Sequence, residues 1–524
     1  MKFKLVTNRQ DIPSENVNTA YLKTDTWNDF SFETMFHLSL FDDRGSYHEI
    51  GRIKIGFKGQ TISESTYSKL DKVFPKLNND YFSVGETIEF YTNLSKLPST
   101  FTETLLTALR DIVFTPSHIE NIKEEEVFKS SLLRDHSLTT IKGQLFRELT
   151  GKAELTNFNF SFIRFETENL APIKLDVDVF KNSTPSTNIH ALIGRNGSGK
   201  TTILNGMIQA ITAPDDPIGQ FIDTEDQINV PIDNDYFSRL ISVSFSAFDP
   251  FTPPEEQSDP AKGTCYSYIG LKSKEEGCHL TISELREDFV KSLIDCFRKK
   301  DKKNLWRKAI KRLGSDENFA SMDLFDLEEI YKKLKTNNKL RQVDGTKFKK
   351  LYIRAIESFL LNLSSGHAIV LFTITKLVST IEEKTLVLLD EPEGHLHPPL
   401  LSAFIRTLSE LLIDLNGVAI IATHSPVVLQ EVPKSCVWKI NRVGKTMKPY
   451  RPDIETFGEN VGVLTREVFG LEVVTSGYCE LLSKLVKANK SYDEIVTTYK
   501  NQLGLEARIA LKTMVVHRDK GLGK

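Results

Sequence analysis

A glycine-rich segment combines the residue types and the spacing that binding of a phosphate group requires. Residues 194–201 read GRNGSGKT, preceded by the apolar residues 191–193 and followed by the apolar residues 203–204 of a predicted helix. Glycines allow successive backbone N–H groups to turn towards phosphate oxygens, and the N-terminal end of the helix adds a positive potential. In such a loop Lys200 reaches the β and γ phosphates, and the Thr201 hydroxyl binds Mg²⁺.

This segment therefore predicts a P-loop that binds ATP with Mg²⁺. The alternative is a glycine-rich turn without a nucleotide, which the strand before the segment and the helix after it disfavour. The residues predicted to contact the nucleotide are Gly194, Arg195, Asn196, Gly197, Ser198, Gly199, Lys200, Thr201 and Thr202.

Two neighbouring carboxylate residues directly follow a second apolar segment. Residues 386–389 read LVLL and are followed by Asp390, Glu391 and a proline. Such a short aliphatic run, ended by charge and proline, is typical of a buried strand rather than a helix. Asp390 is then placed to hold Mg²⁺ together with Thr201, and Glu391 to polarise a water molecule aimed at the γ phosphate. We predict Glu391 to be the general base of ATP hydrolysis.

The composition indicates a protein without membrane spans. Hydrophobic residues make up 40% of the 524 residues, charged residues make up 26%, and the net charge is −3. No apolar run reaches the length of about 18 residues that a spanning helix needs, and the N-terminus lacks the apolar core of a signal peptide. The five cysteines are odd in number and lack CxxC spacing, which favours reduced thiols over a zinc site. We expect a cytoplasmic protein with no membrane contact.

Three regions differ in their hydrophobic patterns. Residues 1–150 are predicted to form a β-rich accessory domain, since residues 30–40 and 50–57 alternate between apolar and polar and flank a turn. Residues 151–445 are predicted to form an ATPase core, with a helical subdomain at about 265–380. Residues 446–524 are predicted to be a helical C-terminal segment. Capping boxes, in which Thr is followed three residues later by Glu, predict helix starts at Thr100 and Thr281.

The predicted helices at 298–350 are strongly basic. This segment has 17 Lys and Arg residues against 8 Asp and Glu residues, in a chain whose net charge is −3. Such an excess can bind a nucleic-acid backbone. It can also be a solvated helical face or a docking surface for an acidic protein, so the sequence leaves the three interpretations open.

Four motifs in a fixed order resemble the ABC-type ATPases: GRNGSGKT, LSSGH at 363–367, LVLLDEP at 386–392 and ATHS at 422–425. The resemblance implies an α/β core built on a P-loop. It also implies that His424 contacts the γ phosphate as a catalytic residue. Ser364 and Gly366 of the signature motif would bind the nucleotide of a second subunit. One residue departs from the pattern, because Ser246 stands where the family often has Gln.

The same resemblance predicts a homodimer. Each copy has one P-loop and one signature motif, and in the resembled family each site combines the P-loop of one subunit with the signature of the other. A symmetric pair would therefore complete two sites at once.

Residues 390–398, DEPEGHLHP, resemble the ATPases of overcoming-lysogeny-defect and related phage-defence proteins more than transporter subunits. His395 and His397 in this stretch could suggest a metal site, but a structural role is favoured because neither carboxylate nor Cys spacing accompanies them. No arrangement typical of a Toprim nuclease follows, so the chain is not expected to be a nuclease itself.

With its β-rich N-terminal region, the chain resembles the PtuA ATPase subunit of Septu-type and retron-associated phage-defence systems. That resemblance implies a regulatory ATPase that controls a separate HNH nuclease of the PtuB type. In retron systems a reverse transcriptase and its RNA-linked DNA join the complex. Two alternatives remain: an ATPase subunit of a DNA-repair or transport complex, and a nucleotide-binding scaffold with slow turnover.

Overall fold

The computed structural model describes most of the chain in fourteen longer stretches and two single residues. These are residues 1–8, 10, 12, 16–25, 32–134, 138–150, 157–168, 171–213, 218–224, 229–233, 236–246, 251–260, 263–273, 278–336, 345–469 and 477–520. Within them the fold is α/β, as predicted, with three sheets and most of the helices after the first sheet.

The N-terminal region is β-rich, as predicted. Its sheet has the strand order β5-β1-β2-β3-β4-β6, and the described pairs are antiparallel except for β1 with β2. The predicted hairpin is β3 with β4. The strands are β1 (Lys2–Val6), β2 (Thr19–Thr24), β3 (Met35–Phe41), β4 (Tyr47–Phe57), β5 (Val73–Phe74) and β6 (Tyr81–Gly85).

Five helices pack on this sheet and share its apolar core. They are α1 (Thr66–Lys69), α2 (Ile88–Ser95), α3 (Ser99–Leu109), α4 (Leu138–Thr140) and α5 (Phe146–Thr150), with a 3₁₀ turn at Pro116–Asn121 and π turns at Phe128–Leu132 and Ile141–Leu145. The predicted capping box at Thr100 is wrong. The Pro98 carbonyl accepts hydrogen bonds from the amides of Phe101 and Thr102, so Thr100 already lies inside the first turn of α3.

A second, antiparallel sheet follows with the order β11-β10-β7-β8. Its strands are β7 (Phe158–Arg164), β8 (Ile173–Val179), β10 (Gly219–Asp223) and β11 (Val230–Pro231). The aromatic residues of this sheet share an apolar core with helix α6 (Lys200–Thr212) and with one face of the main sheet. Helix α6 is thereby held between the two sheets.

The main sheet has seven strands in the order β13-β12-β14-β15-β9-β16-β17. The first six are parallel, and β17 pairs antiparallel with β16. The strands are β9 (Ile189–Ile193), β12 (Arg239–Ser244), β13 (Cys265–Gly270), β14 (Thr385–Asp390), β15 (Val418–Thr423), β16 (Val437–Val443) and β17 (Thr446–Tyr450).

Both faces of the main sheet are covered. In β14, Leu386 and Leu388 belong to the core shared with α6, whereas Val387 and Leu389 belong to the core shared with the helices of the opposite face. Burial on both faces explains why this strand is a continuous apolar run instead of an alternating one.

The helices of the opposite face lie mostly between β13 and β14. They are α7 (Ile282–Arg298), α8 (Lys300–Leu313), α9 (Glu317–Ala320), α10 (Asp326–Thr336), α11 (Gly345–Leu361) and α12 (Ser365–Thr380), joined by α13 (Pro398–Asp414) and α14 (Pro426–Leu429). The capping box at Thr281 and Glu284 is confirmed. Residues 265–270, which the prediction assigned to the helical subdomain, form strand β13 because they pair in parallel with β12.

Many basic residues of 298–350 take part in ion pairs. Arg307 contacts Glu328, Lys308 contacts Asp414, and Lys349 contacts Glu287. These pairs neutralise part of the local charge. Residues 337–344 lie outside the described residues, and nucleic-acid contact through 298–350 stays a prediction.

The C-terminal segment is helical, with α15 (Val461–Phe469), α16 (Gly477–Lys487), α17 (Tyr492–Thr498) and α18 (Leu505–Asp519). The last three helices share a small core of their own. The predicted boundary at 445 falls in the hairpin of β16 and β17, so residues 446–450 lie in the main sheet. No helix in the described part of the chain is long and apolar enough to cross a bilayer.

Candidate functional site

The register of the main sheet aligns the ends of four strands. Ser244 at the end of β12 pairs with Asp390, Asp390 pairs with Ala422 of β15, and Ala422 pairs with Leu192 of β9. The carboxyl ends of parallel strands form the edge at which ligands bind in open α/β sheets. The predicted site residues at or directly after the ends of these strands therefore lie at one edge of the sheet.

The glycine-rich loop connects β9 to α6 through close backbone contacts. Gly194 is buried, and a Cβ atom there would lie 2.4 Å from the Ile440 carbonyl oxygen. Gly199 has φ +93°, a conformation that L side chains rarely adopt, and a Cβ atom there would lie 2.5 Å from Met447 Cε. Strands β16 and β17 thus contact the loop. Glycine is favoured at position 194 by the close approach of the Ile440 backbone and at position 199 by the positive φ.

Lys200 points back into the loop. Its ammonium donates hydrogen bonds to the carbonyl oxygens of Gly194 at 3.1 Å and Arg195 at 3.2 Å. The side chain is 4% exposed. Burial lowers the pKa of Lys200 from its usual value, while the carboxylates of Glu391, Asp390 and Glu393 oppose that shift. A cation held inside the loop and close to carboxylates is placed to meet the negative charge of a phosphate.

The other loop residues differ in exposure. Arg195, Asn196, Gly197 and Thr202 are exposed, and Ser198 is buried. The Oγ atom of Ser198 lacks a hydrogen-bond partner within the described part of the chain. Since buried polar atoms are normally paired, this hydroxyl fits a ligand oxygen entering the loop.

Thr201 joins the loop to the strand that carries the carboxylates. Its hydroxyl lies 2.9 Å and 3.1 Å from the two carboxylate oxygens of Asp390. A hydroxyl and a carboxylate are hard oxygen ligands of the kind that Mg²⁺ prefers. The two predicted metal residues, distant in sequence, are therefore neighbours in the structure.

Glu391 and His424 are neighbours as well. Glu391 lies directly after β14 with φ +46°, and its backbone N–H donates to the Ala422 carbonyl at 2.8 Å. His424 Nδ1 lies 3.5 Å from Glu391 Oε1 and 3.2 Å from Glu393 Oε1, in neither case in hydrogen-bonding geometry. Glu391 Oε1 is also 3.9 Å from Lys200 Nζ. The predicted catalytic base thus faces both the loop cation and the predicted phosphate-contacting histidine.

The matches to known proteins agree with this arrangement. Residues 189–430 match the family model "AAA domain", whose description names the AbiEii toxin and the Type IV TA system. Protein ea59 of Escherichia phage lambda is 53% identical to the chain over 521 residues, which is 99% of each sequence. The chain belongs to the family of Protein ea59. In this member of the ea59 family, residues 189–430 match an AAA-type domain, which supports the nucleotide-binding part of the predicted function.

Solved structures of ABC transporter subunits also match the ea59 family member. An ATP-binding cassette of an ABC transporter in its ADP conformation is 15% identical, covers 61% of this chain and 97% of its own, and has a TM-score of 0.28. CbiO1 from Clostridium perfringens, part of the ABC transporter complex cbiONQ, is 16% identical, covers 61% and 95%, and has a TM-score of 0.30.

Ser364 and Gly366 of this ea59 family member lie at the start of α12. Ser364 is the N-cap of α12, and its hydroxyl contacts His367 Nδ1 at 2.6 Å. A Cβ atom on Gly366 would lie 2.6 Å from the His395 carbonyl oxygen, so glycine is required for this approach. No described hydrogen bond or ion pair joins either residue to the phosphate loop of the same chain.

Ser246 follows β12 at the same sheet edge as Asp390 and is half-buried. Residues 247–250 lie outside the described residues. A serine side chain is shorter than that of glutamine, so the reach of this position towards a metal or water is reduced.

Sequence reasoning missed Glu393. Its Oε1 atom accepts hydrogen bonds from Thr423 Oγ1 at 2.6 Å and from the His424 backbone N–H at 2.7 Å. This carboxylate orients the segment that carries His424. The Gly and His residues beside it belong to the DEPEGHLHP motif, and the local sequence alone gives no sign that Glu393 turns towards β15.

Proposed function

We propose that this protein binds ATP with Mg²⁺ between two copies of the chain and hydrolyses it, using the nucleotide as a switch. The contact of Thr201 with Asp390, beside a buried Lys200, is the observation that carries the proposal. This arrangement brings together a loop that can bind phosphate, the Lys200 cation, and the hydroxyl and carboxylate oxygens of Thr201 and Asp390. These are the components that phosphoryl transfer to water requires.

Each residue then has a distinct role. The loop amides and Lys200 bind the phosphates, and Thr201 with Asp390 would hold Mg²⁺, which neutralises charge on the phosphate oxygens. Glu391 accepts a proton from the attacking water, and His424 orients the γ phosphate. Glu393 positions His424 by accepting its backbone N–H hydrogen bond.

The proposed dimer rests on the ABC-type resemblance, in which the P-loop of one subunit and the signature motif of the other form one site. A second copy in symmetric arrangement would bring its Ser364 and Gly366 to the exposed side of the loop, where Asn196 and Gly197 lie. Ser364→Arg should prevent ATP-dependent pairing, as measured by light scattering with Glu391→Gln as background. Full ATPase activity in a demonstrably monomeric Ser364→Arg variant would contradict the dimer.

The finer proposal is that this ATPase is a regulatory subunit of an antiviral complex and controls a separate HNH nuclease. The resemblance to PtuA supports it, and so does an apolar surface on the C-terminal helices. Leu481, Leu505 and Ile509 are 53%, 77% and 57% exposed. Leu505 and Ile509 are four residues apart on α18 and therefore share one face of that helix, which we take as the candidate docking face.

This docking proposal has a direct test. The chain is co-expressed with the product of the neighbouring reading frame, which the proposal expects to be an HNH protein, and the amount recovered with a tagged ATPase is measured. Leu505→Glu with Ile509→Glu should abolish recovery, whereas Lys512→Glu on the same helix should not. Equal recovery with all variants, or a membrane permease in place of an HNH protein in the neighbouring frame, would contradict the proposal.

A nucleotide-binding scaffold with slow turnover is the second candidate, favoured by Ser246. Comparing ATPase rates of the wild type and Glu391→Gln separates the two. A low rate that this substitution leaves unchanged would identify a scaffold. A rate that it strongly lowers would identify a catalyst.

A further inference from the structure

Three side chains from separate parts of the helical face converge next to the signature motif. Asp316 precedes α9, His367 lies in the first turn of α12, and His397 is the N-cap of α13. His367 Nε2 lies 3.4 Å from Asp316 Oδ1, and His397 Nε2 lies 3.8 Å from Asp316 Oδ2. One ligand atom from each residue lies within 4.8 Å of the other two.

This spacing suits a shared ion. Histidine nitrogens bind zinc at about 2.0–2.1 Å and carboxylate oxygens at about 2.0–2.2 Å. Two ligands of one tetrahedral ion are therefore roughly 3.3–3.5 Å apart. The separations of 3.4 Å and 3.8 Å are close to this range, and all three ligand atoms lie within 4.8 Å of one another, so the side chains must draw together to share one ion.

The inner part of the cluster is shielded, and its outer part is accessible. The side chains of Asp316 and His367 are 5% and 9% exposed, whereas that of His397 is 48% exposed. An ion could therefore enter from solvent past His397. Burial of a carboxylate next to two imidazoles strengthens its attraction for a cation because the surrounding dielectric constant is low.

Ser364 orients the buried imidazole. Its hydroxyl lies 2.6 Å from His367 Nδ1. When Nδ1–H donates to this oxygen, Nε2 keeps its lone pair and directs it towards Asp316. Histidine ligands of metals usually donate their second ring N–H to an oxygen in this way. In the other tautomer the Ser364 hydroxyl donates to Nδ1 and Nε2–H donates to Asp316 Oδ1 at 3.4 Å, so a metal ion would take the place of that proton.

We propose that Asp316, His367 and His397 form a binding site for one divalent transition-metal ion, with Zn²⁺ as its representative. Two imidazoles and one carboxylate favour this class over Mg²⁺ or Ca²⁺, which prefer oxygen ligands only. Solvent completes the coordination on the side of His397. The site is separate from the proposed Mg²⁺ site at Thr201 and Asp390, and it does not depend on nucleotide binding.

His397 must change one contact to join the site. Its Nδ1 atom accepts a long hydrogen bond of 3.4 Å from the Leu400 backbone N–H. Coordination through Nε2 requires the proton on Nδ1, so this bond is exchanged for the metal bond. The exchange is small because the bond is at the limit of hydrogen-bonding distance.

The location gives the ion a structural consequence. It would tie the start of α12, which carries Ser364 and Gly366, to α13 and to the turn before α9. The signature motif of the proposed dimer interface would then be held in one orientation by the metal.

The test uses the full chain after chelator treatment and dialysis, with Zn²⁺ added in calorimetry and Co²⁺ followed by its visible absorption. His397→Asn and Asp316→Asn remove ligands, while Asn at both positions retains the ability to cap a helix. His395→Asn is the matched control, since His395 is an exposed histidine in the same loop. Circular dichroism checks that each variant is folded.

The proposal expects one Zn²⁺ per chain in the wild type and in His395→Asn, with a Co²⁺ spectrum typical of histidine ligands. Both ligand variants should lose stoichiometric binding and that spectrum. Absence of stoichiometric binding in the wild type would overturn the proposal. Binding retained by His397→Asn and Asp316→Asn, or lost equally in His395→Asn, would overturn it as well.

Discussion

The Thr201 hydroxyl at the start of α6 contacts both carboxylate oxygens of Asp390 at the end of β14, at 2.9 Å and 3.1 Å. The two residues come from separate motifs and meet only because β9 and β14 are both paired with β15 in one register. This contact marks the position where the protein offers oxygen ligands to Mg²⁺.

We predict that Thr201→Ala weakens binding of a non-hydrolysable ATP analogue with Mg²⁺ by about 10- to 100-fold, since an interaction with a charged group is worth about 1.5–3 kcal/mol. Calorimetry measures the change. Thr201→Ser keeps the hydroxyl and should remain close to the wild type. Equal affinities for all three proteins would show that this hydroxyl takes no part in metal binding.

Glu391→Gln should lower kcat by at least about 100-fold, because a general base contributes about 10²–10⁴-fold. Nucleotide affinity should hardly change, because the amide keeps the size of the side chain. Phosphate release and calorimetry measure the two quantities. Glu410→Gln is the control, because Glu410 lies on α13 and pairs with Arg312 away from the loop. If Glu391→Gln leaves kcat unchanged, Glu391 is not the general base.

Glu393→Ala should reduce the free energy of unfolding by about 1–3 kcal/mol, since it leaves the His424 amide and the Thr423 hydroxyl without their acceptor. Urea denaturation measures the loss. Glu393→Gln retains an acceptor oxygen and should lose less. If the two substitutions reduce the free energy of unfolding equally, these hydrogen bonds do not contribute to stability.

Asp111 in the N-terminal region should make the stability of the fold depend on pH. Burial raises the pKa of its carboxyl to about 7, although hydrogen bonds from the amide of Phe114, the Tyr91 hydroxyl and the amide of Val113 oppose that shift. The folded state therefore binds a proton that the unfolded state releases near pH 4. This group stabilises the fold fully below about pH 4, and its contribution is lost as pH rises to about 7.

The loss is at most about 4 kcal/mol, at about 1.36 kcal/mol for each pH unit between the two pKa values. Asp111→Asn should remove this part of the pH dependence. Urea denaturation of both proteins at several pH values between 4 and 8 measures it. A wild-type stability profile that matches that of Asp111→Asn over this range would contradict the raised pKa.

Several parts of the fold and of the site could be predicted from the sequence because they depend on neighbours along the chain. The hairpin of β3 and β4 follows from alternation around a turn, and the capped start of α7 follows from Thr281 and Glu284. The capping box expected at Thr100 failed because the Pro98 carbonyl had already started α3. Strand β13 was assigned to the helical subdomain because its structure depends on pairing with β12, which the local pattern does not reveal.

The amino-acid sequence by itself determined the chemistry of the phosphate loop and of the strand that ends in Asp390 and Glu391. Glycine backbone freedom, a helix start and a short aliphatic run are local properties, so their residues can be identified without a fold. Only the tertiary structure decided that Glu393 supports His424 and that Asp316, His367 and His397 meet at one point. These contacts join residues whose separation along the chain is large. They form only when packing of both faces of the main sheet brings their helices and loops together.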